Sequence, residues 1–170
     1  FAEGSLLLCH YGPGSQVTLG GVTAQADASG WAVIGIPRDA PDELRFTVAN
    51  LTGGEIDRMQ AITQREFAIQ RIEGVPQSTV TPDPSTLPRR QREYAQKQAA
   101  FATNWDGAGF LDGFIRPAEG ITTGVYGSQR VYNGTPGNPH WGLDWANDPG
   151  TPIVAPAAGR VILAEPDMYY

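Results

Sequence analysis

The chain has 170 residues, 18 acidic and 12 basic, for a formal charge of −6 and a pI near 4.8. That balance speaks against nucleic acid or an anionic membrane as the main partner, and no apolar run approaches the ~20 residues needed to span a bilayer. The length allows one domain or two small ones with a core of their own, and 21 glycines with 14 prolines argue for many turns and short strands.

The first residue is Phe1 rather than Met, which reads as a mature or trimmed product with any signal peptide out of view. A single cysteine, Cys9, cannot form an internal disulfide. Its apolar neighbours favour an inert, buried thiol.

Residues 1–72 read as a run of short strands: Ser5–Cys9, Gln16–Leu19, Trp31–Ile36, Leu44–Ala49, Glu55–Thr63 and Glu66–Arg71. Turn material separates them, at Gly12-Pro13-Gly14, Gly20-Gly21, Asp27-Ala28-Ser29-Gly30, Pro37-Arg38-Asp39 and Thr52-Gly53-Gly54. Leu44, Phe46 and Val48 alternate with Arg45, Thr47 and Ala49, as in a sheet with one buried face. The turn spacing predicts a small β-sandwich, immunoglobulin-like in architecture. Gly74, Pro76, Pro82, Pro84 and Pro88 then mark a linker. A helix follows from Ser85 to about Thr103, with Ser85 as N-cap and Thr86 to Pro88 in the first turn. Tyr94, Gln98 and Phe101 share one of its faces, and Arg89-Arg90 read as solvated.

β signals return at Phe110, Phe114 and Ile115 before Pro117. Gly120 and Gly124 read as turn residues ahead of Val125-Tyr126-Gly127. Asn147-Asp148-Pro149-Gly150 and Ala157-Ala158-Gly159 read as turns bounding strands over Thr151–Ala155 and Arg160–Ala164. The expected fold class is mainly β: a sandwich over 1–72, a linker with one helix over 73–108, and a compact antiparallel sheet over 109–170.

The chemistry concentrates in Pro139-His140-Trp141-Gly142-Leu143-Asp144-Trp145-Ala146. An imidazole and a carboxylate four residues apart both suit Zn²⁺. In a regular strand they would stand ~13 Å apart, and Gly142 with the surrounding prolines makes a helix poor. A bent backbone remains, with Gly142 taking a conformation closed to other residues so that His140 on a loop and Asp144 at a strand start converge. His-x-x-x-Asp alone is a common spacing, and a structural histidine beside a turn-capping aspartate is the plainer reading.

The wider wording changes that balance. His140-Trp-Gly-Leu-Asp144-Trp-Ala, then Gly150-Thr-Pro-Ile-Val-Ala-Pro156 and Gly159-Arg-Val161, closely resemble the lysostaphin/LytM-type zinc peptidases, the M23 family. Pro117-Ala-Glu-Gly120, Gly124-Val-Tyr-Gly127, Ser128-Gln-Arg130 and Asn133-Gly134 are similar to the lead-in of that domain. The resemblance covers 110–170 and implies that 109–170 is the N-terminal half of an M23-type peptidase domain.

By the same resemblance, His140 and Asp144 match two of three zinc ligands. The third ligand and an assisting histidine would come from a His-x-His motif, which this sequence lacks. His10 is the only other histidine, and it lies in the front domain. The implied activity is hydrolysis of peptide links of peptidoglycan, in the periplasm or outside the cell. Zn²⁺ would lower the pKa of bound water toward ~7 and polarise the scissile carbonyl. Arg130, Asn133 and Trp141 are candidate substrate-binding residues. The fragment alone is expected to be inactive until a C-terminal segment or second chain completes the domain. Two other readings stand beside this one: a catalytically inactive LytM-like activator or scaffold of another cell-wall hydrolase, and a front sandwich that serves as a binding module.

Overall fold

The computed structural model describes residues 1–50, 53–81, 83–103, 105 and 107–169. Thr52 of one expected turn, Pro82 of the linker and Tyr170 lie outside the described residues. The chain is mainly β, with 31% of residues in strands and 15% in helix. It divides into two compact units, Phe1–Ala68 and Ile69–Tyr170.

The first unit pairs β1 (Leu6–His10) with β4 (Trp31–Gly35), and orders β3 (Val22–Gln25), β2 (Gln16–Leu19), β5 (Glu43–Ala49) and β6 (Glu55–Ala61) in a second sheet, β3-β2-β5-β6. All these pairings are antiparallel. Period-2 alternation explains the core: Cys9, Ala32 and Ile34 of one sheet meet Val17, Leu19, Phe46 and Val48 of the other in a single cluster. Leu44 packs against that cluster, so the Leu44/Phe46/Val48 face is buried as its alternation predicts. Among the described residues of this unit, six strands split two and four.

In this unit β3 escaped the sequence reading, as the strands Ile121–Gly124, Gln129–Tyr132 and Thr135–Pro136 did in the second, where Gly124 ends a strand rather than making a turn. Gly20 and Gly21 both take positive φ, 56° and 87°, the two-residue hairpin geometry that returns the chain as β3 beside β2. Burial pushes the Cys9 thiol above its ordinary range, which suits an inert core residue. The N-terminal segment closes the unit. Glu3 is buried and its carboxylate accepts the Arg65 backbone N–H at 2.8 Å, while the Phe1 ring meets Phe46 edge-on at 5.8 Å.

The second unit begins with β7 (Ile69–Ile72), which runs parallel to β9 (Gln129–Tyr132) in the sheet β10-β9-β7, where β10 is Thr135–Pro136. The expected last strand of the front unit, Glu66–Arg71, therefore shifts to Ile69–Ile72 and joins the second unit. A second sheet pairs β8 (Ile121–Gly124) with β11 (Asp144–Ala146) antiparallel.

Two short segments precede the long helix: α1 (Gln77–Val80) and a 3-10 turn over Pro84–Thr86. The main helix is α2 (Leu87–Phe101). Ser85 is not its N-cap. The Asp83 carboxylate accepts the Ser85 N–H at 2.8 Å, and the 3-10 turn leads into the helix. On the face shared by Tyr94, Gln98 and Phe101, Tyr94 is 61% and Phe101 72% exposed. Glu93 and Ala100 are buried instead. The Arg89 guanidinium donates to Glu93 at 2.6 Å and to Asp167 at 3.0 Å, and Glu93 accepts the Tyr169 N–H at 2.7 Å, so residues 167–169 lie against the helix at Arg89 and Glu93.

Two further expectations fail. The stretches Thr151–Ala155 and Arg160–Ala164 form no regular strand, and Phe110 lies in a 3-10 turn, Gly109–Asp112. Proline explains part of this, since Pro152 and Pro156 cannot donate to a ladder. Backbone pairing with the 115–117 segment persists at Ile115 N–H to Pro156 O and Val154 N–H to Pro117 O, each 2.8 Å. No helix among the described residues is long and apolar enough to cross a membrane.

Phe46 is 2% exposed, so Phe46→Ala should destabilise the first unit by about 3–5 kcal/mol, read as a lowered urea midpoint with unchanged slope. Hydrogen bonds from Arg89 and then Tyr169 hold the Glu93 carboxyl below its ordinary range. A depressed folded pKa contributes stability above the ordinary glutamate value of about 4.3, lost as pH falls through the folded value. Following the Tyr169 amide shift by NMR from about pH 7 down should show the tail released only at acid pH, and released at every pH in Glu93→Ala.

Candidate metal and substrate site

His140 is pinned from both sides by the backbone: its N–H donates to Ser128 O at 2.8 Å, and its carbonyl accepts the Gly127 N–H at 2.8 Å. Asp144 is the first residue of β11, and the ladder sets it opposite Gly124 of β8. Between them the chain bends at Gly142. The bend brings His140 Nε2 to 2.8 Å from Asp144 Oδ2, a contact that an extended segment with its Cα atoms ~13 Å apart would hinder. Convergence is therefore present, but not for the expected reason. Gly142 does not take positive φ, and a Cβ on it would stand an ordinary 3.7 Å from His140 Cε1. The register shift between Asp144 and Trp145 and the two anchors on His140 turn the side chains toward each other.

Both imidazole nitrogens face oxygen. Nδ1 lies 3.3 Å from the Val125 carbonyl, and Nε2 faces the carboxylate. A neutral imidazole carries one N–H and can satisfy only one of these acceptors. A protonated ring satisfies both. A cation held by Nε2 and Oδ2 in place of their direct contact, with the Nδ1 proton on Val125 O, would do so as well, and a ligating histidine commonly donates its other N–H to a backbone carbonyl in this way. The donor set, one imidazole nitrogen and one carboxylate oxygen, fits Zn²⁺. The pair is open to water, with side chains 32% and 57% exposed, so as an ion pair it adds little to stability. No group of three His, Cys, Asp or Glu placed to hold a metal occurs among the described residues. His10 lies on β1, where its Nε2 meets the Ser29 carbonyl at 3.1 Å.

The candidate substrate residues separate into two kinds. Trp141, next to His140, is 62% exposed, and its ring lies 5.9 Å from that of Tyr126. The Arg130 side chain is exposed on β9. Trp145 is half-buried under the Arg116 guanidinium, 5.5 Å from its ring. Asn133 is occupied with the fold. It takes φ 47° ahead of Gly134 at 78°, the two-residue turn joining β9 to β10. Its side-chain amide donates to Val75 O at 2.9 Å and accepts the Val75 N–H at 3.3 Å. The Asn-Gly dipeptide between short β segments is a hairpin signal; the clamp on Val75 is not visible in it.

Asn133→Ala should lower the stability of the second unit by about 1–2 kcal/mol, since alanine disfavours this left-handed conformation and both bonds to Val75 go. Asn133→Gly keeps the conformation and loses only the bonds, so its smaller loss in thermal denaturation measures the clamp. No family model matches the chain, and no curated protein matches it.

Proposed function

We propose that this chain is part of a zinc-dependent endopeptidase that hydrolyses peptide links of bacterial peptidoglycan, acting in the periplasm or outside the cell. The observation that carries the reading is the convergence of His140 Nε2 and Asp144 Oδ2 at 2.8 Å with Nδ1 turned to the Val125 carbonyl. The motif wording resembling M23 peptidases supports it. His140 and Asp144 would hold the ion, and a further ligand and an acid–base histidine would come from a C-terminal segment completing the domain. When bound, zinc supplies a water with pKa near ~7 and polarises the scissile carbonyl.

The residues of this chain do the positioning. The backbone anchors at Gly127 and Ser128 fix the His140 main chain, and an Nδ1 proton donated to the Val125 carbonyl would leave Nε2 free to ligate the metal. The exposed Trp141 ring beside Tyr126 offers a flat wall, suited to an extended peptide rich in small residues. Arg130 contributes a cation for a substrate carboxylate.

In the complete protein, His140→Ala and Asp144→Ala should each remove bound zinc and reduce release of peptides from purified peptidoglycan by at least about 100-fold. Unchanged release in both variants sinks the reading. A complete protein that holds no zinc by elemental analysis yet stimulates another cell-wall hydrolase would instead identify an inactive activator.

A further inference from the structure

β8 ends at Gly124, directly opposite Asp144 in the ladder. The space that a side chain would fill there is already taken. A Cβ at Gly124 would lie 2.7 Å from Asp144 Oδ2, 3.0 Å from His140 Cε1 and 3.2 Å from Asp144 Cγ. Those separations are shorter than van der Waals contact, so any side chain must displace the carboxylate, the imidazole or both. The backbone itself does not call for glycine: φ at Gly124 is not positive, and glycine weakens a strand. Gly142, inside the motif, is the contrast, because a Cβ there meets His140 only at ordinary distances of 3.7 and 3.9 Å.

We propose that Gly124 is a positioning residue of the metal site, its missing side chain forming the recess in which the His140 ring and the Asp144 carboxylate come within 2.8 Å of each other. This rests on the reading of His140 and Asp144 as zinc ligands. The glycine that makes room for the pair is thus on the neighbouring strand rather than between the ligands. Removing this support resembles the loss of an outer-shell partner, which commonly lowers metal affinity 10–100-fold.

The test uses the complete protein, including the segment that would supply the further ligand, and compares it with its Gly124→Ala, Gly142→Ala and His140→Ala variants. Zinc chloride is titrated into each while the His140 and Asp144 NMR signals are followed, and the structure of Gly124→Ala is determined. Gly124→Ala should bind zinc at least about tenfold more weakly, with Nε2 and Oδ2 no longer in hydrogen-bond contact and unchanged thermal denaturation. Gly142→Ala should bind like the parent, and His140→Ala not at all. A Gly124→Ala structure with the pair intact at its parental distance overturns the proposal. If the parent itself shows no zinc shifts at His140, the ligand reading falls, and the pair geometry in Gly124→Ala alone judges the role of Gly124. Should Gly124→Ala fail to fold, adding Asp144→Ala should restore folding by removing the clash; a defect that persists in the double variant overturns the proposal.

Discussion

The antiparallel ladder of β8 and β11 pairs Asp144 with Gly124, Trp145 with Thr122 and Ala146 with Ile121, and the placement of the candidate ligands depends on it. A strand has a two-residue side-chain period, so slipping this ladder by one position would turn the Asp144 side chain to the opposite face and away from His140. It would also set a residue with a side chain against the carboxylate. The shift between Asp144 and Trp145 gives the first residue of β11 an orientation that the rest of the strand does not share.

The two units are held by different means. In the first, apolar side chains from two sheets meet in one cluster that includes Phe46, Val17 and Val48 at 2% exposure or less, and the hydrophobic effect dominates. In the second, Ile121, Ile153 and Val161 are 72–80% exposed. Its order comes from backbone pairing and close backbone approach instead. Gly120, just before β8, shows this directly: a Cβ there would run into the Ala146 carbonyl, so the chain entering β8 meets the end of β11 through bare main chain. A site built this way is positioned by the backbone, and its side chains stay open to water.

The electrostatics follow the same division. Exposed pairs such as Arg45–Asp57, bidentate across β5 and β6, raise the arginine and lower the aspartate, yet water screens them and they decide little. Glu93 differs because it ties two segments distant in sequence. One carboxylate joins Arg89 on α2 to the Tyr169 backbone, making a local charge pair into a tertiary contact.

The sequence by itself determined the elements whose signal is local. Alternation at Leu44, Phe46 and Val48 marked β5 and its buried face, and the helix formers after Pro88 marked α2. The spacing of His140 and Asp144 around Gly142 marked a bend that could join them. Tertiary structure decided what depends on partners distant in the chain. It moved Ile69–Ile72 beside β9, because a parallel strand is defined only by its neighbour. It left Thr151–Ala155 without a ladder, and it buried Glu93 and Ala100 of α2, tying Glu93 to the Tyr169 backbone. It tied Asn133 to Val75 rather than leaving its amide to a ligand. It also explained the site by Gly124 on a neighbouring strand rather than by Gly142, since room for a side chain is a property of whatever packs opposite, which no spacing within one segment records.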